Sequence, residues 1–166
     1  MVRTGPVIVG FDGTPAAERA LHEAAALFAP RPALVVVVWE AGRAFEAATL
    51  PVKGLELQPA GLDVRTAFEA DRAAYEAAQR LAEMGAAVAR EAGLDADALA
   101  VADDLPVADT LVRLASELDG RALVLGAHGH GELRTLVLGS TLGAVLRRAP
   151  CPVLVCMRPK AGDRPR

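Results

Sequence analysis

Ala33 to Trp39, Ala-Leu-Val-Val-Val-Val-Trp, is the longest uninterrupted apolar run in the chain. It is far too short to span a bilayer. It also lacks the polar alternation of a half-solvated strand. A strand of this kind is covered on both faces, as in a parallel sheet flanked by helices. The remaining sequence supplies both the neighbouring strands and the covering helices.

Pro6 to Phe11 reads as a first strand ending at Asp12-Gly13. Thr14 is placed to cap a helix, with Pro15 at its first position, where proline is tolerated. Ala17, Ala20, Leu21, Ala24 and Leu27 then recur at helical spacing up to Phe28, and Pro30 and Pro32 stop the helix. The second strand is Leu34 to Trp39. Residues 41–66 contain Gly42, Pro51, Gly54, Pro59 and Gly61 without a period, and read as an irregular insertion. Ala67 to Ala92 reads as a long helix, with Phe68, Leu81, Met84 and Val88 on or near its buried side. Ala98 to Ala102 is a weaker third strand. Val107 to Leu118 is a helix with a stripe of Leu111, Leu114, Ala115 and Leu118. Ala122 to Leu125 is a fourth strand, Leu142 to Arg148 a short helix, and Val153 to Met157 a fifth strand. Residues 1–158 are thus one domain and 159–166 a polar tail. Alternation of strand and helix predicts a parallel sheet with helices on both faces.

Composition narrows the function classes. Hydrophobic residues make up 52% of the 166 and aromatics only 4%, so the core is aliphatic. A net charge of −3 gives no electrostatic footprint for nucleic acid. Arg147-Arg148, the one basic pair in the body of the chain, suits a solvated helix C-terminus. Cys151 and Cys156 do not form a disulfide framework, and five residues apart on one strand they point to opposite faces. No secretory signal is visible, because Asp12 and Glu18 interrupt any early apolar stretch, and a cytoplasmic location is expected.

The chemistry concentrates after the fourth strand. Gly126-Ala127-His128-Gly129 is followed, nine residues on, by Gly139-Ser140-Thr141 and a helical pattern. Glycines let backbone amides approach phosphate oxygens, and a helix start adds free N–H groups and the positive end of its dipole. Read alone, this is also compatible with a tight strand-to-helix connection. In a doubly wound sheet, however, ligands sit at strand carboxyl ends where the strand order reverses. Asp12 and Gly126 fall at that crevice, which favours a nucleotide pocket.

On these residues the chain resembles the universal stress proteins of the ATP-binding kind. Gly126, Gly129, Gly139 and Ser140 match the family's spacing of Gly, two residues, Gly, nine residues, Gly and a hydroxyl residue. Val7 to Pro15 and Arg147 to Val155 resemble its opening and close. The resemblance implies a single Rossmann-like, doubly wound α/β domain of the adenine nucleotide alpha hydrolase-like type, with five parallel strands, usually dimeric. It also implies that Gly10, Phe11 and Asp12 line the adenosine end of an ATP site and that Val38 meets adenine through its backbone. Gly126, His128, Gly129, Gly139, Ser140 and Thr141 would hold ribose and phosphates, with or without Mg2+. Asp104 departs from the family pattern, which has a glycine there, and is either a solvated turn residue or a carboxylate facing phosphate.

Other residues have plainer readings. Asp12 serves a ligand or an Asx turn before Thr14, and Ser140 a phosphate or a helix cap. His128 and His130 lack further metal ligands nearby, and His22 reads as a surface residue. Arg134 could reach a phosphate or stay solvated, while Leu133, Leu136 and Leu138 anchor the excursion around it. Trp39 and Tyr75 are assigned to packing. The last strand, Val153 to Met157, has no charge, proline or glycine to protect a sheet edge, which implies a homodimer through it. A nucleophile–base pair, a carboxylate dyad and a P-loop lysine are not found, so no catalytic or metal residue is assigned. The leading function is a nucleotide-responsive regulator of stress or dormancy acting through an unidentified protein partner. A slow ATPase or adenylyl-transferring enzyme and a nucleotide-independent dimeric scaffold are the alternatives.

Overall fold

The computed structural model describes residues 3–39, 41, 64–102, 105–127 and 139–157. In chain order the elements are β1 (Val7–Gly10), α1 (Pro15–Phe28), β2 (Pro32–Trp39), α2 (Val64–Glu91), β3 (Asp95–Ala102), α3 (Val107–Glu117), β4 (Ala122–Gly126), α4 (Ser140–Arg148) and β5 (Val153–Cys156). The five strands form one sheet in the order β3-β2-β1-β4-β5, and every pairing is parallel. The expected doubly wound α/β architecture is therefore present. β1 is the central strand, and the winding reverses between β1 and β4.

Two aliphatic layers sandwich the sheet. Val7, Val9, Val35, Val37 and Val124 pack under α1 and α2, and Ile8, Val36, Leu123 and Leu125 pack under α3 and α4. Alternate strand residues feed opposite layers, so each apolar run is buried on both sides.

α1 starts as its sequence dictates. Thr14 is extended, its Oγ1 accepts from the Ala17 amide at 3.3 Å, and Pro15 opens the helix. Alanines dominate the buried faces of α1 and α2, which brings both helix backbones close to the sheet.

This alanine preference corrects part of the sequence reading. Ala78, Ala82, Ala86 and Ala89 face the sheet from α2, while Phe68 and Met84 are 72% and 59% exposed. Leu81 and Val88 do pack against the core. α2 also begins at Val64, inside the stretch expected to be irregular. β3 begins at Asp95, three residues early, because it is an edge strand on which Asp95 and Asp97 stay exposed while Ala96 is buried. Leu27 and Leu118 lie at helix ends and are exposed.

Cys151 precedes β5 and does not share its strand with Cys156, yet it packs on the α3/α4 side while Cys156 is buried on the α1/α2 side, so the two occupy opposite faces. Burial raises both thiol pKa values above the ordinary cysteine range, against a smaller opposing effect of Arg3 on Cys151. At Cys156 Glu23 adds to the rise and Arg19 opposes it. Iodoacetamide at pH 7 is therefore expected to label the native protein slowly and the urea-unfolded protein at the rate of a free thiol. Equal rates in the two states would contradict this burial. Among the described residues, no helix is long and apolar enough to cross a membrane.

Candidate functional site

The candidate site lies at the carboxyl ends of β2, β1 and β4. Gly10, the last residue of β1, pairs with Val36 on one side and Leu125 on the other. The Phe11 amide then donates to the Val36 carbonyl at 2.9 Å, and β1 leaves the sheet. β2 continues to Trp39, still paired with β3. Because Val36 turns its polar groups toward β1, strand parity turns those of Val38 the same way. There β1 has already departed. Val38 thus presents one amide N–H and one carbonyl toward the crevice, with no strand partner among the described residues.

Asp12 sits at the lip of this crevice. Its Oδ1 accepts from the Thr14 amide at 3.0 Å and the Thr14 hydroxyl at 2.6 Å, which closes an Asx turn feeding the cap of α1. The side chain is exposed, and Oδ2 has no partner among the described residues. Gly13 follows with φ +76°, a conformation that favours glycine. The Phe11 side chain points away from the site: it is buried, and its ring fills the hollow left by Gly85 on α2. With its amide engaged, only the Phe11 carbonyl remains to face a ligand.

Gly126 ends β4 and has a packing role that the motif reading missed. A Cβ there would lie 2.4 Å from the carbonyl carbon and oxygen of Ala16 and 2.7 Å from the Ala17 nitrogen. The first turn of α1 therefore rests directly on Gly126. The signal was available in the sequence, since close helix–strand contact is a common reason for glycine at this kind of turn.

Gly139, Ser140 and Thr141 are exposed at the start of α4. The cap position belongs to Gly139, not Ser140, and no side chain caps the helix. The Gly143 amide makes the first turn's bond to the Gly139 carbonyl, which leaves the amides before it free for an external acceptor. α1 has a side-chain cap and Glu18 in its first turn, and α3 has Asp109 there, paired with Arg148 of α4. α4 has neither a side-chain cap nor a first-turn acid. It is thus the helix end best suited to an anion among these three. Leu142, in its first turn, belongs to the same apolar cluster as Leu125 and Ala127, which ties this helix start to the β4 side of the crevice.

The structure thus brings Gly10, Asp12, Val38 and Gly126 to adjoining strand tips. His128 and Gly129, together with His130, Leu133, Arg134, Leu136, Leu138 and Asp104, lie outside the described residues. His22 is exposed, as expected.

The backbone is similar to several solved structures. A universal stress protein from Archaeoglobus fulgidus matches with a TM-score of 0.65 at 23% identity, over 91% of this chain and 97% of that one. A universal stress protein family member from Arabidopsis thaliana with AMP bound matches at 0.60 and 16%, over 97% and 95% of the two chains. A universal stress protein in complex with cAMP matches at 0.58 and 23%, over 92% and 96%. No curated protein matches the sequence. The model of the universal stress protein family matches residues 4–157, nearly the whole chain. With that match and the β3-β2-β1-β4-β5 sheet, the chain belongs to the universal stress protein family.

Proposed function

We propose that this protein binds an adenine nucleotide, with ATP the expected ligand, and acts as a nucleotide-responsive homodimeric regulator. The observation that carries this reading is the donor–acceptor pair of Val38 at the tip of β2, which has no strand partner among the described residues. An adenine edge offers an acceptor nitrogen beside an amino donor, the complement of one backbone N–H and one C=O. Asp12 suits a ribose hydroxyl through Oδ2. The uncapped start of α4 suits phosphate oxygens, and Gly139 leaves the approach open, since a Cβ there would meet no atom of the described residues within 4 Å. Similarity to family members holding AMP or cAMP supports the same reading.

The chain has a single tryptophan, Trp39, one residue beyond Val38, so its fluorescence is a direct reporter. Titration with ATP, with and without Mg2+, is expected to saturate in the micromolar range, on the order of −8 kcal/mol. Silence up to millimolar ATP in both fluorescence and calorimetry would overturn the reading. Val38→Pro removes the proposed donor without removing a strand hydrogen bond, and proline's φ is compatible with a strand end. It is expected to weaken ATP binding about tenfold, the effect of one lost hydrogen bond, while changing stability by less than about 1 kcal/mol. Unchanged affinity would remove Val38 from the site.

A further inference from the structure

α2 is longer than the sheet it covers. Its 28 residues span about 42 Å, against about 26 Å for the eight-residue strand β3. Its sheet-facing stripe starts only at Ala78. Of residues 65–77, only Ala67 is buried and Asp71 half-buried; the rest are exposed. α2 joins parallel neighbours, so it runs against the strands and its first half projects past their carboxyl ends, over the side of the candidate site.

Three contacts connect this helix to the site. The Leu81 Cδ1 lies 2.9 Å from where a Cβ on Gly13 would stand, directly over the turn that follows Asp12. The Phe11 ring fills the hollow at Gly85. The Trp39 ring lies against Tyr75 with centroids 5.8 Å apart at 49°. Trp39 follows Val38, and Gly13 follows Asp12. Val38 and Asp12, two of the expected ligand contacts, therefore each have a chain neighbour touching α2.

We propose that nucleotide occupancy and helical order of residues 65–77 are linked through the Trp39–Tyr75 and Gly13–Leu81 contacts. The linkage rests on the nucleotide-binding reading and adds its output element. A helical stretch with little buried face is near its fraying limit, so it is a natural two-state element. Of the exposed pairs on it, Arg65–Glu69 and Arg72–Glu76 have the less favourable order, with the cation first, and only Glu76–Arg80, at 4.0 Å, has the acid first. A ligand that immobilises the β2 tip and the Asp12 turn immobilises the platform on which Tyr75 and Leu81 rest. By reciprocity, whatever captures the ordered 65–77 segment tightens nucleotide binding by the same factor.

Hydrogen exchange of the full chain with and without saturating ATP tests this, with occupancy measured separately by calorimetry. In the wild type, ATP is expected to slow exchange in peptides from 65–77 about fivefold. Tyr75→Ala, an exposed change to a good helix former, and Leu81→Ala are each expected to abolish that slowing. Both should keep ATP affinity within about fivefold of wild type. Slowing that persists in both variants would overturn the linkage, as would bound ATP with unchanged exchange in 65–77; in either case nucleotide binding would stand. Absence of ATP binding in the wild type would overturn both.

Discussion

Gly126→Ala is expected to destabilise the protein by about 3 kcal/mol, an overpacking cost at the upper end of the usual range. The new methyl would meet backbone atoms of Ala16 and Ala17, not the tip of a flexible side chain. Those atoms are fixed in turn. The Ala17 amide is held by Thr14 Oγ1, and the Thr14 hydroxyl and amide are held by Asp12. Relief of the clash requires α1 to lift from β4 or the Asx turn to open. Urea unfolding should show a lower midpoint at an unchanged slope, and heating a midpoint lower by about 6–12 °C for a chain of this length. Two controls rank the effect. At Gly10 an added methyl meets the Leu125 and Leu111 side-chain tips at 2.6 and 3.3 Å, which can yield, so Gly10→Ala should cost about 1–2 kcal/mol. At Gly139, with φ −52° and no atom of the described residues within 4 Å, Gly139→Ala should cost less than about 1 kcal/mol. Equal stability of Gly126→Ala and Gly139→Ala would refute the close approach of α1 to β4. The distinction also matters for function. Loss of nucleotide binding in Gly126→Ala reports on the ligand only if the variant is shown to be folded.

The fold was legible because the strands announce themselves twice, as unalternated aliphatic runs and by the helices between them. The parallel sheet with helices on both faces follows from that alternation, but the order β3-β2-β1-β4-β5 does not, since a 2-1-3-4-5 winding has the same sequence of elements. Harder to see was which residues of α2 face inward. Large apolar residues were the natural candidates, but the sheet accepts small ones, and Phe68 and Met84 are left outside. The start of β3 is hard to read because Asp95 and Asp97 do not resemble strand residues until the strand is known to be an edge. At the site, only the family resemblance points to Val38. The physical reason is register: β2 outruns β1, and that offset depends on pairing across distant segments. The glycine motif marked the right place, yet its first member also fills a packing role that spacing alone does not reveal. Ser140 has the chemistry of a cap, but the helix starts one residue earlier than that role requires.

Val155→Pro is expected to convert the proposed dimer into a monomer. The sheet has two edges, and among the described residues only one carries charges that defend it. β3 carries exposed Asp95 and Asp97, and charged residues discourage edge pairing. β5 carries no charge, and Met157 just after it is 56% exposed. The direction of its free hydrogen-bonding groups follows from the inner side. The Pro152 and Cys156 carbonyls accept from Leu123 and Ala127 of the β4 segment at 2.9 Å each. By parity Leu154 also faces β4, while Val153 and Val155 direct their N–H and C=O groups outward. A second copy related by a two-fold axis would pair antiparallel with this edge, each copy using the same residues. Proline at position 155 deletes an outward donor on both copies and leaves the β4 ladder intact. Val155→Thr keeps the donor and β-branching and serves as the control. Light scattering after size exclusion at micromolar concentration should give twice the chain mass for the wild type and Val155→Thr, and the chain mass for Val155→Pro. The folded state of the proline variant is checked by circular dichroism. A monomeric wild type would refute the dimer, and a folded, dimeric Val155→Pro would move the interface away from β5.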